Sequence, residues 1–138
     1  KTQKYTRHVM DTEYGDMPGG LAGNDDAGQM SAWYVFSSLG FYPVCPGSPY
    51  YIIGSPRLEK AVLNLEDGTK FTIEAEATGK DNRYIQSATL NGKPYTKNYL
   101  HHDDMIKGGV LHFVMGDQPN KEWGSKPEDC PPALLPIK

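Results

Sequence analysis

Apolar and polar positions change their period once along this chain, and the change falls near residue 40. Before it the spacing is helical. In KTQKYTRHVMDTEY, Tyr5, Val9 and Met10, then Glu13 and Tyr14, recur at four or five positions with basic residues between them, which predicts a first helix. The stretch GDMPGGLAG, residues 15 to 23, carries four glycines and a proline and must be loop. A second helix is predicted to start among Asn24, Asp25 and Asp26, all good N-cap types whose carboxylates suit the positive end of a helix dipole. It ends at Gly40, a C′ glycine with Pro43 just beyond.

From Tyr50 onward the period is two. Val62 to Leu65 lead into Asp67-Gly68, after which Phe71, Ile73 and Ala75 alternate with Lys70, Thr72, Glu74 and Glu76. Tyr84, Ala88 and Leu90 run into a second turn dipeptide, Asn91-Gly92. Leu111, Phe113 and Met115 make another strand after Gly108-Gly109, and the Pro-, Asp- and Lys-rich tail from Gly116 reads as irregular. Short strands about every ten residues, separated by turn dipeptides, predict an antiparallel β-sandwich. The fold class is therefore α+β, with a helical segment over residues 1–45 and a sandwich over 46–138.

The second helix does not suit a flank of that sandwich. Met30, Ala32, Trp33, Tyr34, Val35, Phe36 and Leu39 wrap most of its circumference, the pattern of a helix enclosed on every side. Two helices and one sandwich do not easily enclose it: either it lies between the sandwich and the first helix or, the better reading, its neighbours are missing. An apolar patch left uncovered predicts self-association, or fraying of residues 1–40 while the sandwich holds.

Composition narrows the classes. The 14 basic and 17 acidic residues are mixed along the chain with a net charge of -3, which offers no basic face to nucleic acid. No run of about 18 apolar residues exists to span a bilayer. Cys45 and Cys130 are too few for a zinc site or a disulfide framework, though one bridge between them stays open. The chain opens at KTQKY without an initiator Met, which reads as a piece of something longer.

Candidate chemistry concentrates at residues 24–26. Two adjacent carboxylates where a loop meets a helix suit either capping or catalysis, and residue types alone leave both readings open. His101, His102, Asp103 and Asp104 offer four metal-ligand types in a row, but adjacent residues do not converge on one ion, so a solvated turn is expected. Trp33 and Tyr34 have the side chains for sugar stacking, yet at helical spacing they read as core. Glu13 reads as a polar face of the first helix.

The block GNDDAGQMSAWYVFSSLGFYPV, residues 23–44, resembles the C-terminal end of glycoside hydrolase family 92, the calcium-dependent exo-acting α-mannosidases of bacteria. The likeness continues through PGSPYYIIGSP, YIQSATLNGK and GGVLHFVMGDQPN and reaches back to TQKYTRHVMDTEY, so it covers nearly the whole chain. It implies a large enzyme in which residues 1–45 are closing helices of an (α/α)6 barrel, whose remaining helices are the partners of the enclosed-type helix. It implies inverting hydrolysis of terminal α-mannosides on glycans, with Asp26 as catalytic base and Asp25 second, and Asn24 as a candidate substrate contact. The general acid, a glutamate, and most ligands of a Ca2+ ion belong upstream of this chain. Residues 24–28 lack the alternating acidic positions of an EF-hand loop. A periplasmic, extracellular or cell-surface bacterial location follows from the resemblance alone, and the chain by itself is expected to be inactive. The alternatives of another class are a stand-alone carbohydrate-binding sandwich with a helical arm, and a structural cap on a barrel made by another chain.

Overall fold

The change of period marks a change of layer. A computed structural model describes residues 1–133, in which two helices, α1 (Thr2–Thr12) and α2 (Gln29–Leu39), precede two β-sheets. The smaller sheet has the order β1-β2-β7 (Phe41–Tyr42, Tyr50–Ile53, Tyr99–His101). The larger has the order β3-β4-β8-β5-β6, from Lys60–Asn64, Lys70–Glu76, Gly109–Gly116, Tyr84–Leu90 and Lys93–Pro94. Among the described residues every strand pair is antiparallel except β4–β8, which is parallel.

Alternation sets which face of the larger sheet turns inward. Phe71, Ile73 and Ala75 of β4 and Leu111, Phe113 and Met115 of β8 are buried, and the parallel register pairs Ile73 with Leu111 and Ala75 with Phe113. In β5 the buried residues are Ile85 and Ala88, three apart, which strict alternation forbids. A bulge between Ile85 and Ser87 inserts one residue, so Ile85 faces Met115 and Ala88 faces Phe113 on the same side. Phe41, Ile53 and Leu100 of the smaller sheet complete the same cluster, and the core therefore lies between the two sheets. The expected turns are present: Asp67-Gly68 joins β3 to β4 and Asn91-Gly92 joins β5 to β6. The segment after β8 is mostly irregular but packed down, for Trp123 Nε1 donates to the Tyr95 carbonyl at 2.9 Å and Thr96 Oγ1 to Asp129 at 2.6 Å.

Two local expectations need correction, and one open question is answered. The second helix begins at Gln29, not among residues 24–26, because Gly28 takes a left-handed conformation (φ 73°) that no helical turn accommodates. His101 to Asp104 is not a solvated turn: α3 (His102–Ile106) forms there, started by His101, whose Nδ1 accepts from the Asp103 N–H at 3.1 Å. Both histidines are half-buried, His101 edge-on to Tyr50 and His102 Nδ1 3.0 Å from the Tyr51 hydroxyl. Cys45 and Cys130 are both free thiols.

Helix α2 buries small polar residues most deeply and leaves its apolar ones partly covered. Its buried residues are Ser37 and Ser38, while Val35 is 58% exposed and Trp33, Tyr34, Phe36 and Leu39 are only half-buried. The serine side is the side of close approach. Ser38 Oγ lies 3.6 Å from Met10 Sδ of α1, and the Ser38 carbonyl accepts from the Arg57 N–H at 3.0 Å. At the helix end Gly40 (φ 101°) lies so near Pro56 that a Cβ would come within 2.9 Å of the ring. Small residues bring the backbone close to its neighbours, Phe36 and Leu39 pack against the core beside them, and Val35 is left facing away.

Candidate active site

The acidic pair lies in a tight turn ahead of α2. The Gly28 N–H donates to the Asp25 carbonyl at 3.1 Å, placing Asp26 and Ala27 at the turn's centre. The two carboxylates do different work. Asp25 Oδ1 accepts from the N–H groups of Met30 at 2.8 Å and Ser31 at 3.3 Å, and its Oδ2 accepts from the Ser31 hydroxyl at 2.5 Å. These are the second and third N–H groups of α2, so Asp25 performs an N-cap's task from three residues before the cap position. The Ser31 hydroxyl above all, with those two backbone donors, holds the Asp25 carboxyl below the usual carboxylate range against partial desolvation. Asp26 is exposed, and its carboxylate has no hydrogen-bond partner among the described residues.

Asn24 is exposed and contributes its backbone, not its amide, to the turn: its carbonyl accepts from Gln29 Nε2 at 3.0 Å. Gln29 Oε1 in turn accepts from the Ala27 N–H at 3.0 Å. Behind the turn stands Tyr14, whose hydroxyl donates to the Met30 carbonyl at 3.0 Å. Its ring stacks on Trp33 (5.7 Å between centroids, 14° between planes) and leans on Tyr34 at 4.8 Å. Burial first, and then the Asp25 charge, push the Tyr14 phenol above its ordinary pKa. The Trp33 ring is therefore engaged within the chain. Glu13, exposed at the end of α1, accepts from Thr12 Oγ1 at 3.1 Å.

A cleft of about 600 Å³ opens beside this junction, lined by Asp11, Tyr14, Asp16, Ser31, Tyr34 and Arg57. Arg57 and Asp11 form an ion pair there, tying α1 to the chain that leaves β2. Tyr14, Gln29, Ser31 and the Arg57–Asp11 pair were not singled out from the sequence. Gln29 and Ser31 lie inside the block GNDDAGQMSAW, but no periodicity distinguishes a residue that folds back on its own turn.

The donors present do not by themselves complete a calcium centre. The ion takes six to eight oxygens, the Asp25 oxygens are occupied by N–H and O–H donors, and among the described residues no three His, Cys, Asp or Glu side chains are grouped to hold a metal. No helix among the described residues is long and apolar enough to cross a membrane.

Comparison with known proteins matches this fold over most of the chain. The model of the glycosyl hydrolase family 92 catalytic domain matches residues 1–117. A curated relative from Arthroderma benhamiae, described as an uncharacterized secreted glycosidase, is 36% identical over 127 residues, covering 89% of this chain and 16% of its own length. Among solved structures, a family GH92 inverting mannosidase from Bacteroides thetaiotaomicron is 48% identical with a TM-score of 0.89, over 94% of this chain and 18% of that one. A GH92 α-mannosidase from the same organism is 43% identical with a TM-score of 0.92, over 99% of this chain and 19% of that one. The fold is that of part of a glycosyl hydrolase catalytic domain. The chain belongs to glycosyl hydrolase family 92, and it spans less than a fifth of the length of these relatives.

Proposed function

We propose that this chain is the C-terminal part of an inverting, exo-acting α-mannosidase that removes terminal α-linked mannose from glycans, and that Asp26 is the catalytic base. The observation that carries the assignment is the division within the acidic pair. Asp25 has both oxygens engaged in starting α2, whereas Asp26 projects from the turn with none engaged. That the solved relatives are mannosidases supports the substrate class.

An inverting glycosidase sets a carboxylic acid and a carboxylate about 6.5–9.5 Å apart across the scissile bond. In this reading the Asp26 carboxylate takes a proton from water as the water oxygen attacks the anomeric carbon. The acid on the opposite side gives its proton to the leaving oxygen. Glu13 is turned to Thr12 at the end of α1 and does not serve as that acid. The acid and most ligands of a Ca2+ ion belong to parts of the enzyme outside this chain, and so do the barrel helices that cover the exposed part of α2. The secreted relative supports export, to the periplasm or the cell exterior in a bacterium.

The test is a pair of substitutions in the full-length enzyme, assayed on an aryl α-mannoside. Asp26→Asn is expected to lower kcat by about 10²–10⁴-fold, the usual worth of a positioned general base. Asp25→Asn keeps an oxygen for the helix N–H groups and is expected to cost far less. A normal kcat for Asp26→Asn with collapse of Asp25→Asn reverses the assignment, and normal rates for both remove the base from this turn.

A further inference from the structure

The hydrogen bonds of the Gln29 side chain are not needed to begin α2, because Asp25 already meets the N–H groups of Met30 and Ser31. They run backwards instead. One planar amide donates to the Asn24 carbonyl and accepts from the Ala27 N–H, both at 3.0 Å. With the Gly28 N–H on the Asp25 carbonyl, they tie down the backbone on both sides of Asp26. The Asp26 carboxylate itself has no partner among the described residues to hold it in place. Its direction is set by the backbone on which it stands.

We propose that Gln29 is a positioning residue for Asp26, an inference that rests on the reading of Asp26 as the base. A base works only within hydrogen-bond reach of the water it deprotonates, and a displacement of about 1 Å in a reacting group costs on the order of 10²-fold in rate. Donor and acceptor are both required within one short side chain. Glutamine supplies both, whereas glutamate accepts from Ala27 but has no proton to donate to Asn24 at neutral pH. Gln29 is exposed and its bonds are local, so its loss leaves the fold in place while freeing the turn. In that case rate and stability separate, which a purely structural role does not produce.

The experiment is a double-mutant cycle in the full-length enzyme with Gln29→Ala, Asp26→Asn and the double variant, following kcat, KM and thermal midpoint. Gln29→Ala is expected to lower kcat by about 10–100-fold with KM within about twofold and the midpoint within about 3 °C. In the Asp26→Asn background the same change is expected to cost less than about threefold, since there is no base left to position. If Asp26→Asn collapses kcat but Gln29→Ala leaves it at the wild-type value, Gln29 positions nothing and the base assignment stands. If the two losses multiply in the double variant, Gln29 acts independently of Asp26 and the inference is overturned. If Asp26→Asn itself keeps the wild-type rate, the base assignment fails, and the proposal fails with it.

Discussion

Arg7 joins the helical layer to the sandwich, and replacing it is a direct test of how firmly the candidate site is mounted. The residue is 3% exposed, and no carboxylate forms an ion pair with it among the described residues. Its Nη1 donates to the Pro56 carbonyl at 2.8 Å and its Nη2 to the Gly79 carbonyl at 2.6 Å, while Nε has no partner. Burial lowers the pKa of its guanidinium. Arg7→Met keeps the apolar stem and removes two short charge-assisted bonds, each worth about 1.5–3 kcal/mol, and a longer one to Thr78 Oγ1 at 3.4 Å. The Pro56 carbonyl keeps the Thr78 hydroxyl at 2.8 Å, so only the Gly79 carbonyl is left without that donor. Relief from burying a cation offsets part of the loss, leaving about 2 kcal/mol, roughly a thirtyfold change in the folding equilibrium. The fall in thermal midpoint is then about 6–10 °C for a chain of this size. Urea unfolding at fixed protein concentration measures it, and hydrogen exchange is expected to show α1 losing protection before β4 and β8. Arg7→Lys is expected to be at least as costly, because an ammonium cannot reach both carbonyls in the guanidinium's plane. A loss below about 0.5 kcal/mol for Arg7→Met refutes the reasoning, since bond formation and desolvation then cancel.

Three further outcomes follow from the same contacts. The isolated chain is expected to leave aryl α-mannosides intact with or without added calcium, because inverting hydrolysis needs two carboxyl groups across the bond; turnover abolished by Asp26→Asn overturns this. Tyr5, Val35 and Val44 are 59%, 58% and 61% exposed, so the isolated chain is expected to self-associate through its helical layer. Sedimentation should then show Val35→Glu shifting it toward monomer, and a wild-type chain that stays monomeric at high concentration counts against an uncovered interface. The depressed native pKa of Asp25 means that the unfolded chain binds more protons below the ordinary aspartate value near 3.8. Its contribution is thus full above that value and lost as pH falls through the lower native one. Asp25→Asn is expected to flatten that part of a stability–pH curve, and an unchanged curve argues against the Ser31 bond.

The strands of the larger sheet were legible because each of the two regular ones presents buried residues at every second position, and Asp67-Gly68 and Asn91-Gly92 have the chemistry their turns require. Their order was not, since alternation tells which face of β4 is buried but not that β8 lies parallel beside it. The bulge at Ile85–Ser87 breaks the pattern locally and is visible only once the partners are known. At the site, Asn24, Asp25 and Asp26 stood out by residue type, yet an N-cap and a catalytic carboxylate have the same side chain. Their separation depends on Gly28, whose left-handed backbone moves the helix cap two to four residues toward the C-terminus of Asn24, Asp25 and Asp26. The apolar circumference of α2 was legible as well. That serines would supply its buried side was not, because a hydrophobicity pattern gives no weight to how closely a small residue lets two backbones approach.

The position of β8 in the larger sheet has a kinetic consequence. It is the central strand, flanked by β4 and β5, yet it follows all the other strands of that sheet in the chain. The β3–β4 and β5–β6 hairpins close locally, but neither has a neighbour for its inner edge until Gly109–Gly116 is available. During synthesis the rows containing Phe71, Ile73 and Ile85 therefore wait uncovered until β8 clears the ribosome. The parallel contact of β4 with β8 closes a loop of more than thirty residues, the kind of non-local pairing that slows folding and prolongs exposure to aggregation. In this layer the slow event is expected to be the insertion of one strand between two edges, and a ribosome-stalled chain ending before residue 109 is expected to lack protection in β4 and β5.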